Sequence, residues 1–370
     1  MDPAGRLTIL ARWDGETVTG LNLSSTRPQA ARLFAGRTVS DTLAMLPALF
    51  TVCGRAHDVA AHAAFEAARS GEPDPERQRA RENSVAAEAA QEHLWRLLLD
   101  WPQLFSLEPS HELFAIWYRR LGRLPGATEC TELGQELLRM IEERLLGVKT
   151  ETWEGLGAVS EMAGLLKEGA TPWWSLCKAV VSANLVSRSL LPAQAVLPYV
   201  SAGHLAQELG GVINSDAAVP PRWQNLAVET GSLARHVGHP LIADMLQSGC
   251  AIAARLLARM IALVECAHRL CGRTNGQPWV DAAPMAPGIG LARVETARGQ
   301  LLHWMDTSGD RVRRYAIVAP TEWNFHPEGA LARETVGQKA SSSEALRWRL
   351  RALVLALDPC VPCDIEVCHA

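Results

Sequence analysis

The chain has 370 residues, with 36 Lys and Arg against 40 Asp and Glu, for a formal net charge of −4. Hydrophobic residues make up 48% and charged residues 21%, which excludes a mostly disordered chain and allows a large buried core. The near-neutral balance supplies no global field for nucleic acid or acidic lipid, so neither is expected as a partner.

Leu7 to Trp13 and Thr17 to Leu23 flank Asp14-Gly15, the pattern of a β-hairpin within residues 1–25. A helical region is expected over 28–272, with Ala-, Leu- and Glu-rich blocks near 40–50, 57–70, 76–99, 111–121, 130–147, 157–168, 172–190, 226–237 and 240–272. Gly71-Glu72-Pro73-Asp74-Pro75 and Leu124-Pro125-Gly126 read as breaks between helices. Over 275–330 the texture changes, and Gly290–Glu295, Gly299–Met305 and Arg311–Ala319 read as strands of a small antiparallel sheet. Asp306-Thr307-Ser308-Gly309-Asp310 turns between the last two. Ser341-Ser342-Ser343-Glu344 signals a helix start, so 344–370 reads as a helix to Leu357 followed by a terminal Cys-x-x-Cys tail. The expected class is mainly α with a minor antiparallel β part. The most apolar helical stretch, Ala251 to Val264, is interrupted by Arg255 and Arg259, whereas a membrane span needs about 20 residues largely free of charge.

The nine cysteines are Cys53, Cys130, Cys177, Cys250, Cys266, Cys271, Cys360, Cys363 and Cys368. A secreted disulfide framework is denser and usually even-numbered. The opening Met1-Asp2-Pro3-Ala4-Gly5-Arg6 lacks the apolar stretch of a signal peptide, so a reducing, cytoplasmic setting is expected. Cys130, Cys177, Cys250, Cys266 and Cys271 have no partner at metal-like spacing and read as structural thiols. Trp173 and Trp174 read as core or as a partner surface.

Cys360-x-x-Cys363 admits three readings. A thioredoxin-like site would need a helix after the motif, for which the seven trailing residues leave no room. A zinc site would recruit Cys368 and His369, although zinc usually draws its pairs from separate segments. The third reading is a metal shared with a distant cysteine.

Asp358-Pro359-Cys360-x-x-Cys363 resembles the terminal motif of the large subunit of nickel–iron hydrogenases. Glu295-Thr296-Ala297-Arg298-Gly299, followed by Leu302-His303-Trp304, is similar to that family's E-A-P-R-G stretch and its H-W. Ala319-Pro320-Thr321-Glu322-Trp323-Asn324-Phe325-His326-Pro327 resembles V-P-T-T-W-N-x-S-P, and Gly231-Ser232-Leu233-Ala234-Arg235 resembles G-P-L-A-R. The resemblance implies a hydrogenase large-subunit-like helical core, and one intertwined domain over 1–370, because the two ends must meet.

The family's N-terminal motif reads R-I-C-G-V-C-P-x-A-H. Aligned from Gly36-Arg37, this chain has Leu49-Phe50-Thr51-Val52-Cys53-Gly54-Arg55-Ala56-His57, with Phe50 at the first cysteine, Cys53 at the second and His57 at the histidine. The resemblance implies that the first cysteine of each pair binds nickel and the second bridges nickel and iron. Cys53 and Cys363 then keep the iron-bridging positions and Cys360 one nickel position, while Phe50 removes the other. A four-thiolate nickel site is not expected. An iron carrying two cyanides and one carbonyl needs only two or three more donors, and thiolates suit it. By the same resemblance Arg298 and Thr321 surround the diatomic ligands, Pro320 and Ala297 wall them, and His57 donates to the Cys53 sulfur. Cys368 is a possible transfer thiol. Glu366 stands at the family's C-terminal histidine; by the resemblance neither a cleavable C-terminal extension nor the early R-x-E-G-H segment is expected.

These losses resemble the HupK/HoxV type of hydrogenase maturation protein, a degenerate relative of the large subunit. The implied role is a non-catalytic scaffold that holds Fe(CN)2CO between Cys53 and Cys363 and passes it on. The implied partners are the hydrogenase large subunit, a HypC-like chaperone and a HypD-like assembly protein. An active enzyme with an altered nickel site and a metal-free assembly chaperone are the alternatives.

Overall fold

The structure is a computed structural model and describes residues 5–50, 52–71, 74–124, 126–186, 195–213, 220–274 and 276–369. The strands among these residues form two sheets. The first has the order β2-β1-β7, from β1 (Leu7–Trp13), β2 (Val18–Ser25) and β7 (Cys363–His369). The second runs β3-β4-β5-β6, from β3 (Val280–Ala286), β4 (Ile289–Thr296), β5 (Gly299–Ser308) and β6 (Arg311–Val318), antiparallel throughout.

Asp14 makes the first hairpin turn, its Oδ1 accepting from the N–H groups of Glu16 at 2.9 Å and Thr17 at 2.7 Å. The C-terminal segment is a strand rather than a tail. β7 runs parallel to β1, with Leu7 opposite Cys363 and Trp13 opposite His369. Alternation explains it: Cys363, Ile365 and Val367 pack on the main core, while Glu366 is exposed and Asp364 pairs with Arg6.

Local chemistry sets the helix starts. Thr38 caps Val39–Leu49, Asp74 caps Pro75–Trp95 with proline in the first turn, and Ser342 caps Ser343–Leu357, each accepting from a first-turn N–H at 3.0–3.1 Å. The block expected at 240–272 is two helices, Pro240–Gln247 and Ala251–Leu270, because Gly249 between them has φ 73°. Within 226–237 only Ser232–His236 is helical, since Glu229 is drawn into a bridge with Val196. The block at 172 stops at Ser182, just before Asn184 turns to φ 47°; its expected end at 187–190 lies outside the described residues. Thr51, residues 72–73 and Pro125 also lie outside them. The helix Ala202–Ile213 and strand β3 had no counterpart in the sequence pattern. β3 tolerates Pro284 because it is an edge strand.

The second sheet lies against the helix Gly54–Ala68, whose buried Ala60, Ala61, Ala64 and Ala67 let the backbones approach closely. At Gly290 of β4 a methyl group would come within 2.1 Å of the Ala64 carbonyl oxygen. Gly290→Ala is therefore expected to cost about 1–3 kcal/mol through overpacking. A urea midpoint equal to that of the unmodified chain would show that the helix can yield. The sheet's other face has its own core of Leu205, Leu209, Trp223, Leu291, Leu302 and Trp304. The main core collects residues from Leu7 to Val361, so both ends of the chain contribute to it. Trp173 and Trp174 are buried in it, edge-on to Trp153. Among the described residues no helix is long and apolar enough to cross a membrane.

Candidate metal centre

Cys53 immediately precedes the helix Gly54–Ala68, and Cys360 lies three residues beyond the helix Ser343–Leu357. The fold brings these distant positions to one arginine. Arg298 has Cys53 and Cys360 among its electrostatic neighbours, after Asp358 and Glu92. Desolvation and Cys360 raise the Cys53 thiol well above the ordinary thiol range, and Arg298 works against them. The Thr321 hydroxyl lies 3.2 Å from the Cys360 sulfur and also accepts from the Cys360 N–H at 3.2 Å. Pro320 and Ala297 are buried alongside.

Two glycines fix Arg298. Gly299 at φ 125° and Gly231 at φ 107° sit where a side chain on either would meet the other segment's backbone, at 2.7 Å from the Gly231 nitrogen and 2.8 Å from the Arg298 carbonyl oxygen. Asn324 Nδ2 then donates to the Arg298 carbonyl at 3.0 Å. Arg298 is 4% exposed; its guanidinium donates from Nη2 to Glu92 Oε2 at 2.6 Å and has Nε 3.3 Å from Asp358 Oδ1. That Nε makes no hydrogen bond, and its contact with Asp358 is an ion pair. Asp358 also receives Arg96 at 2.8 Å and Arg259 at 2.9 Å. Burial raises its carboxyl, but Arg298, Arg96 and Arg259 overcome that and hold it below the usual carboxylate range.

The side-chain hydrogen bond that the structure gives His57 is to His303. The His57 Nδ1 lies 2.9 Å from His303 Nε2, and His303 Nδ1 lies 2.7 Å from the Tyr315 hydroxyl. Alternation along β5 puts His303 on the same face as Leu301 and Met305, toward the helix that carries His57. Burial depresses both imidazoles, His303 to about 3, so the pair is neutral and hydrogen-bonds in one direction along the chain. The Phe50 ring stacks on His57, with centroids 3.8 Å apart and planes 10° apart.

Cys363 and Cys368 are placed differently. Cys363 opens β7, and desolvation followed by Asp364 pushes its thiol up to about 12. Cys368 lies five residues further, about 16 Å along an extended strand, with its sulfur 3.7 Å from the Ala11 carbonyl. The four-donor zinc reading fails for that reason: a strand spreads Cys360, Cys363, Cys368 and His369 apart. Among the described residues no three of His, Cys, Asp and Glu converge as a metal-holding group, and none of the nine cysteines is in a disulfide.

The sequence did not single out Glu92, Asp358 as an ion hub, the His303–Tyr315 pair or Glu88. Glu88 accepts from the N–H groups of Arg55 and Ala56, both at 2.9 Å, at the helix start beside Cys53. Desolvation raises its carboxyl to about 7, against those two hydrogen bonds. A raised carboxyl binds its proton more tightly when folded, so its contribution to stability is full below about 4.5 and is lost as pH rises through about 7. Glu88→Gln should flatten the fall in urea midpoint between about pH 5 and about pH 8. An unchanged slope would show that this carboxylate does not titrate there.

Residues 231–366, which hold Arg298, Thr321, Cys360 and Cys363, match the family model described as nickel-dependent hydrogenase. Over nearly its whole length the chain is 32% identical to the hydrogenase expression/formation protein HoxV of Cupriavidus necator, covering 93% of this chain and 92% of that protein. The chain belongs to the HoxV/HupK family of hydrogenase expression/formation proteins. HupK of Bradyrhizobium diazoefficiens is 31% identical over 345 residues, covering 92% of this chain and 90% of that one. HupV of Azotobacter chroococcum is 28% identical, covering 99% of this chain and 100% of that one. The fold is that of the hydrogenase large subunit: a variant of the NiFeSe hydrogenase of Desulfovibrio vulgaris Hildenborough superposes with a TM-score of 0.63 at 16% identity, over 96% of this chain and 99% of that one. This family member thus has the large-subunit architecture with mainly α structure and a small antiparallel sheet.

Proposed function

We propose that this chain is a non-catalytic scaffold in nickel–iron hydrogenase maturation. It holds an Fe(CN)2CO cargo through Cys53 and Cys363, with Cys360 beside them, and passes it to the hydrogenase large subunit. The observation that carries the reading is that Cys53 and Cys360 share the buried Arg298 as an electrostatic neighbour, with the Phe50 ring, which offers no thiol, stacked on His57. The donor chemistry suits such a cargo. Soft thiols bind iron on losing their protons, and the guanidinium offsets the charge that remains. HypC-like and HypD-like proteins are the partners that follow on the delivery side, and a cytoplasmic setting fits thiols kept reduced.

The test is infrared spectroscopy with metal analysis on protein purified anaerobically after co-expression with the maturation proteins. Cyanide and carbonyl stretches with iron and without nickel are expected. Cys53→Ala and Cys363→Ala should abolish the bands, and Cys360→Ala should weaken them. Stoichiometric nickel with hydrogen uptake would make the chain an enzyme instead. The absence of a converging three-donor group among the described residues favours a second reading, a metal-free chaperone. Protein without iron under those conditions would establish it.

A further inference from the structure

β7 is an edge strand, because its sheet has the order β2-β1-β7. Leu7 lies opposite Cys363, and its N–H donates to the Pro362 carbonyl at 2.9 Å. In a parallel ladder this register gives β1 the inward-facing groups of residues 362, 364, 366 and 368. The N–H and C=O groups of Cys363, Ile365 and Val367 then point to the open side. Among the described residues nothing bonds to those groups, and none of the three residues is fully buried.

The edge also lacks the usual protection. β7 contains no proline or lysine, and its pairing with β1 runs without a bulge. The opposite edge is partly closed by the chain itself, with Val18 N–H donating to Gln338 and Gly337 N–H to Val18.

We propose that the open edge of β7 is a docking strand for an extended segment of the hydrogenase large-subunit precursor, the protein to which this chain passes its cargo. The segment carries a basic side chain opposite Glu366. This inference rests on the function proposed above. Continuity supports it: β7 begins at Cys363, so a strand added there runs up to the thiols. Charge supports it too. On the face shared by Asp364 and Glu366, Asp364 is paired with Arg6 at 2.6 Å, while Glu366 is exposed and forms no ion pair with a described residue. A cross-strand cation satisfies it. A second copy of this chain fits poorly. Antiparallel pairing centred on Ile365 sets Asp364 opposite Glu366 in both copies, and moving the centre by one residue sets Glu366 against Glu366.

The experiment mixes the full chain with the hydrogenase large-subunit precursor lacking its metals and follows amide hydrogen exchange. In the complex the Ile365 and Val367 amides should slow by about tenfold or more, as paired edge amides do. The double variant Ile365→Pro, Val367→Pro removes two N–H groups on the open side together with two side chains that pack on the core, so it should weaken binding by about tenfold or more and also lower the melting temperature. Glu366→Lys, which leaves the backbone intact, should also weaken binding. A complex in which those two amides exchange as fast as in the free chain would overturn the proposal, as would the absence of any complex. Protection of the same amides in a dimer of this chain, seen by sedimentation, would assign the edge to a second copy and overturn it too. The infrared bands of the chain alone decide the scaffold function separately from all of these outcomes.

Discussion

Asp358→Asn is expected to lower the stability of the folded chain by about 3–5 kcal/mol, the usual cost of removing one partner from a buried ion network. Three guanidiniums converge on this carboxylate: Arg96 at 2.8 Å, Arg259 at 2.9 Å and Arg298 at 3.3 Å. Arg298 keeps Glu92 and Arg96 keeps Asp100, but among the described residues Arg259 is left with only a 3.4 Å contact to His93. Burial and its like-charged neighbours already lower the Arg259 pKa, with Asp358 opposing them. The substitution isolates the charge without straining the backbone, because Asp358 sits at φ 55° and asparagine tolerates that conformation nearly as well. Adding Arg259→Met to Asp358→Asn should recover part of the loss, since a buried cation then goes with its partner. The pH dependence has a definite sign. A carboxyl held below its ordinary value contributes stability above about 3.8, and that contribution disappears as pH falls further through its folded-state value. The unmodified chain should lose this stability on acidification, and the variant should not. A urea-unfolding difference under about 1 kcal/mol at neutral pH would mean that water replaces the carboxylate.

The same hub marks the limit of what the sequence shows. Cys53, Arg298, Thr321 and Cys360 were legible because each lies in a short motif whose spacing local chemistry preserves. Asp358 was in view as the first residue of the terminal motif, but its partners come from the helix Ala251–Leu270, the π-helical turn Arg96–Asp100 and the loop after β4. No local pattern announces an ion pair between residues that far apart. His303 was likewise quoted in a motif without a role, since its bond to His57 depends on how β5 stacks on the helix Gly54–Ala68. Helices with polar caps and clear periodicity, such as Val39–Leu49, Pro75–Trp95 and Ser343–Leu357, were placed within a few residues. β7 was not, because seven residues with mixed acids and thiols read as a strand only once β1 is there to pair with them.

Phe50→Cys is expected to let a chain that takes up iron alone take up nickel as well, approaching about one nickel per chain when soft thiolates dominate the site. The prediction rests on the scaffold reading, and the stack explains its mechanism. Phe50 ends the helix Val39–Leu49, with its N–H 3.2 Å from the Leu46 carbonyl, and its ring covers His57 at 3.8 Å. An aromatic ring supplies no lone pair and occupies the space in which a thiolate would stand. Losing the stack costs about 0.5–1.5 kcal/mol beyond lost burial. The His57 ring stays fixed by His303 at 2.9 Å, so the helix start that carries Cys53 should survive. Cysteine then adds a fourth thiol to Cys53, Cys360 and Cys363. Phe50→Ser separates the two effects, since it removes the ring without adding a soft donor. Nickel measured by metal analysis should rise in Phe50→Cys and stay low in Phe50→Ser. Equal nickel in both would mean that bulk alone kept the metal out, and no nickel in either would overturn the assignment of Phe50 as the barrier.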